Sequence, residues 1–276
     1  MSKNGKGEKL RVIMVGAHPD DCELKAGATA ALWADQGAEV LLMSCTCGDA
    51  GHHEIGGGPL ARRRLAESKR SAQILGVSSL VLDYHDGELL PTLDFRRDVI
   101  RAIRNWKADI VFCHRPNDYH PDHRYSSQVV QDAAYLVMVP NVCPDTPALE
   151  KNPVFMYFPD HIRKPCPFVP DVIVDATSMM EKKIQSLDTI DSQMYEWLPW
   201  IDRVLDKVPK DRSKRIEFLK NFWNKHFHSS AEEFPALLKE RYGAQQAAKA
   251  RYAEAFELCE YGSQPSREEL WEMFPH

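Results

Sequence analysis

Short apolar runs and amphipathic stretches alternate along the first 140 residues. Leu10-Arg-Val-Ile-Met-Val-Gly16 carries one charge among apolar residues, the pattern of a strand buried on both faces. The next stretch, Ala26 to Gln36, has helical spacing and ends at Gly37, a residue suited to closing a helix. The same sequence of events recurs three times. Strands are predicted over Glu39–Ser44, Ser79–Asp83 and Asp109–Cys113, and helices over Leu60–Leu75, Phe95–Trp106 and His123–Val139. Alternation at this spacing implies a parallel sheet covered by helices on both faces. Ligand sites in such sheets lie beyond the carboxyl ends of the strands, so chemistry is expected after Gly16, Ser44, Asp83 and Cys113.

The pattern then changes. Eight of the 18 prolines fall between Pro140 and Pro170, around one apolar run, Val154-Phe-Met-Tyr-Phe158. That run predicts a strand held between rigid connections, followed by another at Asp171-Val-Ile-Val-Asp175. From Thr177 the spacing is helical and charged, with helices expected over about Met179–Ile190, Asp211–Lys225 and Ala244–Glu260. The expected fold is α/β: a Rossmann-like three-layer sandwich with a mostly parallel sheet. Residues 1–276 form one domain in this reading, with a sheet core over about 10–176 and a helical C-terminal extension over about 177–276.

Composition narrows the function. Lys plus Arg is 35 and Asp plus Glu 40, a net charge of −5, the wrong sign for non-specific nucleic-acid binding. No charge-free apolar run approaches the length needed to cross a bilayer, so neither nucleic acid nor membrane is expected as a partner. The leader over residues 1–9 is polar, which predicts a frayed start rather than a secretory signal. Seven cysteines are scattered without a disulfide framework, as in a cytoplasmic protein. Cys45-Thr46-Cys47 could read as a metal or redox pair, but after Leu41-Leu-Met43 it reads as a buried strand end.

Seven of the eleven histidines lie in the first 123 residues. Ala17-His-Pro-Asp-Asp21 follows strand one, and His114-Arg-Pro-Asn-Asp-Tyr-His-Pro-Asp-His123 follows strand four. A catalytic zinc takes three protein ligands from His and carboxylate and keeps a fourth position open for water. One loop offers His18 with Asp21, and the other His120 with His123. Of the adjacent Asp20 and Asp21, one can bind metal while the other acts as base. A lone His-Pro-Asp is as readily a helix cap. Two of them, after two strands of one sheet, favour metal.

These segments, with Arg64-Leu-Ala-Glu67 leading to Leu75-Gly-Val77, resemble the PIG-L/LmbE-like zinc-dependent N-deacetylases. The resemblance runs from about residue 10 to Ser192-Gln193, and Tyr252-Ala-Glu-Ala-Phe256 resembles the closing motif of some bacterial members. It implies His18, Asp21 and His123 as metal ligands and Asp20 as the general base. His120 would steady the oxyanion and Asp122 would orient a histidine, while Arg64 and Asp86 would hold sugar hydroxyls. It also implies zinc as cofactor, with iron(II) an alternative for two histidines and a carboxylate. The implied partner is an N-acetylated amino-sugar substrate of the N-acetylglucosamine type, and homo-oligomers occur among the relatives.

The chain departs from the family pattern at three points. Cys22 replaces the usual acid after Asp-Asp, Ile190 stands where many relatives have His, and Asp118 replaces the tyrosine of mycothiol-type members. Removal of N-acetyl from an amino sugar is therefore expected, mycothiol precursors being disfavoured. Cleavage of another amide, such as a thiol conjugate, and metal-containing carbohydrate binding without turnover are the alternatives. A nicotinamide oxidoreductase is remote because no glycine-rich fingerprint follows strand one. Asp49 to Gly58 reads as a solvated loop or a cover for the site, His114 and His161 as structural, and Arg62 and Arg63 as an exposed face. Trp197, Trp200 and Trp223 read as core or as a sugar-stacking wall.

Overall fold

The computed structural model describes residues 9–276; the leader over 1–8 lies outside the described residues. Seven strands form one sheet: β1 (Arg11–Gly16), β2 (Glu39–Thr46), β3 (Ser78–Tyr84), β4 (Ile110–Cys113), β5 (Val154–Tyr157), β6 (Val172–Asp175) and β7 (Ala253–Gly262). Their order is β3-β2-β1-β4-β5-β7-β6, parallel from β3 to β5, with β7 antiparallel to both of its neighbours. The helices of the first half are α1 (Asp21–Asp35), α2 (Gly57–Leu75), α3 (Leu93–Trp106) and α4 (Pro121–Leu136). After the sheet's sixth strand come α5 (Met180–Asp188), a π-helical turn (Ser192–Trp197), α6 (Leu198–Ile201), α7 (Arg215–Glu233), α8 (Pro235–Ala247) and α9 (Arg267–Met273).

The apolar runs are buried on both faces because successive side chains of a strand point to opposite sides. Val12 and Met14 of β1 join Leu42, Phe112, Met156 and Phe256 in one core, closed by Trp33 of α1. Phe112 lies at its centre, 5.0–6.0 Å from the rings of Trp33, Phe158, Phe256 and Phe274. Ile13 and Val15, one residue out of step, face a second core with Val99 and Ile103 of α3 and Val129 and Ala133 of α4. The proline-rich connection has its own anchor. Buried Arg104 donates to the carbonyls of Leu136, Val137, Val139, Val142, Cys143 and Thr146.

The C-terminal hundred residues are mainly helical, but the helix expected over 244–260 is replaced in its second half by β7. The sheet therefore does not end near residue 176. Ala, Glu and Leu favour helix in isolation. Here the slot between β5 and β6 offers two unpaired edges, and β7 satisfies both, pairing Met156 with Leu258 and Ile173 with Ala255. No helix among the described residues is long and apolar enough to cross a membrane.

Candidate metal centre and active-site cavity

The strand order reverses between β1 and β4, and the two histidine-bearing segments meet there. After β1 the chain turns sharply, with the Asp20 and Asp21 amides both donating to the His18 carbonyl at 2.9 and 3.3 Å. Gly16 permits this turn, since a Cβ there would lie 2.7 Å from Cβ of Asp21. After β4, His120 is the N-cap of α4 and Pro121 its first residue, a position where a missing N–H costs nothing. The His120 Nδ1 accepts from the Asp122 amide at 3.2 Å. Asp20 precedes α1 without capping it, so its carboxylate remains available for other work.

His18 Nδ1 lies 3.3 Å from His123 Nε2. The Asp21 carboxylate reaches both, with Oδ2 at 3.5 Å from His18 Nδ1 and Oδ1 at 3.4 Å from His123 Nε2. Ligands about 2.1 Å from a tetrahedral ion stand about 3.4 Å apart. Two imidazoles and one carboxylate with this mutual spacing fit a divalent cation with an open fourth position. His120 belongs to the same cluster, its ring 4.7 Å from that of His18 and 5.0 Å from that of His123.

A ring of further carboxylates orients these groups. Fully buried Asp122 lies 3.2 Å from His18 Nε2 and accepts from the amides of Gly87 and Leu89 at 2.7 and 3.2 Å. Asp86 Oδ1 is also 3.2 Å from His18 Nε2. Burial opposes a charge on His18, yet Asp122, Asp21 and Asp86 together raise its pKa well above the ordinary imidazole range. Asp122 and Asp86 occupy Nε2, which leaves Nδ1, the atom facing Asp21 and His123, for a cation. Asp118 Oδ1 stands 3.0 Å from His123 Nδ1. Burial works to raise the Asp118 carboxyl, but His123 and the His120 amide hold it down at about 2. Replacing Asp122 by Asn removes the charge that fixes the His18 ring, and metal affinity should fall about 10- to 100-fold in chelator competition. Unchanged affinity would show that Asp86, also 3.2 Å from Nε2, sets the ring by itself.

Beside the cluster, Asp20 Oδ2 is 3.0 Å from Arg64 Nη2, both groups being buried. Burial raises the Asp20 pKa, with Arg64 pulling it down and Asp21 adding to the rise. The Arg64 guanidinium packs under Gly48, whose φ is +67° and where an added Cβ would stand only 2.7 Å from Nη1, so both disfavour any larger residue. These groups form the floor of a cavity of about 510 Å³, whose wall includes Gly51, Asp86, Gln193, Trp197, Trp223 and Phe227. Two distant sequence motifs meet behind the wall. Glu67 accepts from the amide and hydroxyl of Ser192 at 3.0 and 2.5 Å, and Gln193 donates to the Gly51 carbonyl at 2.9 Å.

The three successive arginines diverge. Arg62 is exposed, whereas Arg63 binds Glu196 through two 2.7 Å bonds and so is not part of a free face. The segment after Asp49 is likewise tied down, by His52 to Glu196 at 2.8 Å and by His53 stacked on Trp200 at 5.3 Å. Trp197 and Trp223 line the cavity, while Trp200 stacks behind Trp197. His161 also borders the cavity, although its type and position read as structural. Cys22 points into the core, its Sγ 3.3 Å from the Met14 carbonyl, and Ile190 is fully buried. All seven thiols are free and only Cys166 is exposed. Cys45 is core, but Cys47 lies with Asp49 and His85 in a group whose polar atoms are within 4.8 Å of one another.

Two site neighbours escaped the sequence reading. His114 stacks on His123 with ring centres 4.0 Å apart, and its Nε2 is 3.1 Å from Asp21 Oδ2. Burial and the nearby His123 lower its pKa to about 4, so it faces Asp21 as a neutral ring. Asp118 was noted only as a replacement for tyrosine. The available signal for both was their place directly after β4, at the point where the strand order reverses.

Residues 13–134 match the family described as PIG-L, GlcNAc-PI de-N-acetylase. The diacetylchitobiose deacetylase of Thermococcus kodakarensis is 32% identical over 202 residues, covering 69% of this chain and 73% of that protein. The 4-oxalmesaconate hydratase of Pseudomonas putida is 25% identical over 203 residues, 71% of this chain and 78% of that protein. Among solved structures, the N,N'-diacetylchitobiose deacetylase from Pyrococcus horikoshii superposes with a TM-score of 0.68 at 24% identity, covering 90% of this chain and 83% of that one. With its fold, its two histidine-bearing turns and these likenesses in agreement, the chain belongs to the PIG-L family.

Proposed function

We propose that this chain is a metal-dependent N-deacetylase that removes acetyl from an N-acetylglucosamine-type amino sugar or glycoconjugate. The observation that carries the reading is the 3.3–3.5 Å spacing of ligand atoms from His18, Asp21 and His123 on a cavity floor that also holds Asp20. A divalent ion bound there supplies Lewis acidity toward the amide carbonyl and lowers the pKa of water toward neutrality. Zinc suits the donor set, and iron(II) suits the same two imidazoles and carboxylate.

The remaining steps belong to the protein. Asp20 takes a proton from the attacking water and returns it to the departing amine, as one carboxylate can act first as base and then as acid. Arg64, 3.0 Å away, favours the ionised form of Asp20 against the burial that opposes it. His120 uses Nδ1 to accept the Asp122 amide, which leaves Nε2–H to donate to the oxygen that becomes negative. Burial, then His18 and His123, lower the His120 pKa, in keeping with a neutral donor. The second carboxylate oxygen of Asp86 and Nη1 of Arg64 both lie close to Gly51 and are the groups proposed to hold sugar hydroxyls. Trp197 and Trp223 offer flat faces to a sugar ring.

The test is amine release from N-acetylglucosamine, diacetylchitobiose and a glucosaminyl conjugate, with and without chelator. Chelator-sensitive release from any of them is expected. No release by metal-loaded protein would overturn the reading in favour of another amide or of binding without turnover. The hydratase relative gives a further arm, since an unsaturated oxo-acid consumed in place of the sugars would assign the metal and base to hydration. The 32% identity to a deacetylase, against 25% to the hydratase, favours the amide.

A further inference from the structure

The closing motif Tyr252-Ala-Glu-Ala-Phe256 takes no part in the chemistry above, yet its glutamate is buried at 4% exposure. Its contacts lead to α1. That helix is broken at Ala26, whose φ of −144° and ψ of 15° are not helical. A break of this kind frees carbonyls before it and amides after it, all of which need partners when buried. Glu254 reaches across from β7 and accepts from the Ala28 amide at 3.1 Å and the Thr29 amide at 2.7 Å. Lys183 of α5, 3% exposed, donates to the Leu24 carbonyl at 2.8 Å and to Glu254 Oε1 at 2.7 Å. The signs are complementary. A carboxylate caps the positive end of the later helical segment, and an ammonium caps the negative end of the earlier one.

The earlier segment, Asp21 to Lys25, is short, and its first residue is Asp21. One end is set by the bracket of Glu254 and Lys183. The other meets the cluster, where Asp21 Oδ2 accepts from the His18 amide at 2.8 Å. The direction of so short a segment decides where the Asp21 and Asp20 carboxylates stand.

We propose that Glu254 and Lys183 are positioning residues for the metal centre: they fix the break in α1 and so the approach of Asp21 and Asp20 to His18 and His123. The proposal rests on the reading of His18, Asp21 and His123 as ligands, and not on the identity of the substrate.

Removing one partner would strand a buried charge, so the test uses variants that do not. K183M/E254Q removes both charges together and keeps a carbonyl able to accept one amide. K183R keeps the charge, but a planar guanidinium cannot repeat the two bonds of the ammonium. K182A, which breaks the exposed 2.9 Å pair with Asp35 between the same two helices, is the control. Apo-protein of each would be titrated with zinc and with cobalt(II) against a chromophoric chelator, with the fold checked by circular dichroism. K183M/E254Q is expected to weaken metal binding about 10- to 100-fold, the usual effect of losing groups that orient ligands. K183R should weaken it at least about threefold on the same grounds, with K182A within twofold of wild type. The cobalt absorption bands should shift in the first two variants only.

If every folded variant stays within twofold of wild type, the proposal is overturned. A rise in KM with unchanged metal affinity would overturn it too, by placing the pair in substrate contact. If H123A also binds metal as wild type does, the ligand reading itself fails, and the two failures are thereby told apart.

Discussion

Replacing Asp20 by Asn should lower kcat by about 10²- to 10⁴-fold, the usual contribution of a general base, while metal content stays at the wild-type level. Asn has the same shape and can still face Arg64, but it cannot accept the proton that the water must lose. The proposed ligand atoms of His18, Asp21 and His123 lie 3.3–3.5 Å apart without involving Asp20, so the ion should be retained. KM should change little, because the loss falls on the transition state rather than on substrate binding. Activity above a few per cent of wild type would assign the base elsewhere, and loss of metal together with rate would make Asp20 a ligand. Arg64 offers a check on its own role. If it mainly holds Asp20 ionised, Arg64→Met should reduce kcat; if it mainly holds a hydroxyl, KM should rise.

His123→Ala should abolish both metal and turnover. Its Nε2 lies within 3.4 Å of the other two proposed ligand groups, and the further imidazoles grouped with it are His120 and His114. Elemental analysis after dialysis should find well under one ion per ten chains. The rate should fall by on the order of 10³-fold or more, corresponding to the several kcal/mol of charge stabilisation that a Lewis acid supplies. Full metal occupancy in the variant would move the ligand to His120 or His114. The fold should survive, since the ring's neighbours are the polar groups of the cluster, His18, Asp21, Asp118 and His114.

Strands β1 to β6 and helices α2 to α4 are legible along the chain because each is announced locally, by an apolar run or a helical period, with Gly76 closing α2. Both histidine-bearing turns are legible for the same reason, being contiguous and lying directly after strands. β7 was not, because its alanines and glutamates favour helix until two open strand edges receive them. Local pattern also could not sort Arg62, Arg63 and Arg64. Successive helix positions are separated by about 100°, so one faces solvent, one Glu196 and one Asp20 only once α2 has been docked. Ser192-Gln193 and Arg64-Leu-Ala-Glu67 read as separate motifs, yet they are joined by Glu67.

By itself, the sequence determined the α/β alternation, the strand ends at which the candidate site lies, and a set of residue types suited to a hard or borderline cation. Those properties are written in neighbouring residues, where period, turn chemistry and ligand type act over a few positions. Tertiary structure alone decided that His114 stacks on His123, which imidazole each of Asp118 and Asp122 faces, and that Glu254 meets the broken helix some 225 residues earlier in the chain. Burial enforces these pairings: once water is excluded, each charge and each free backbone group must find its partner wherever the chain brings one within reach.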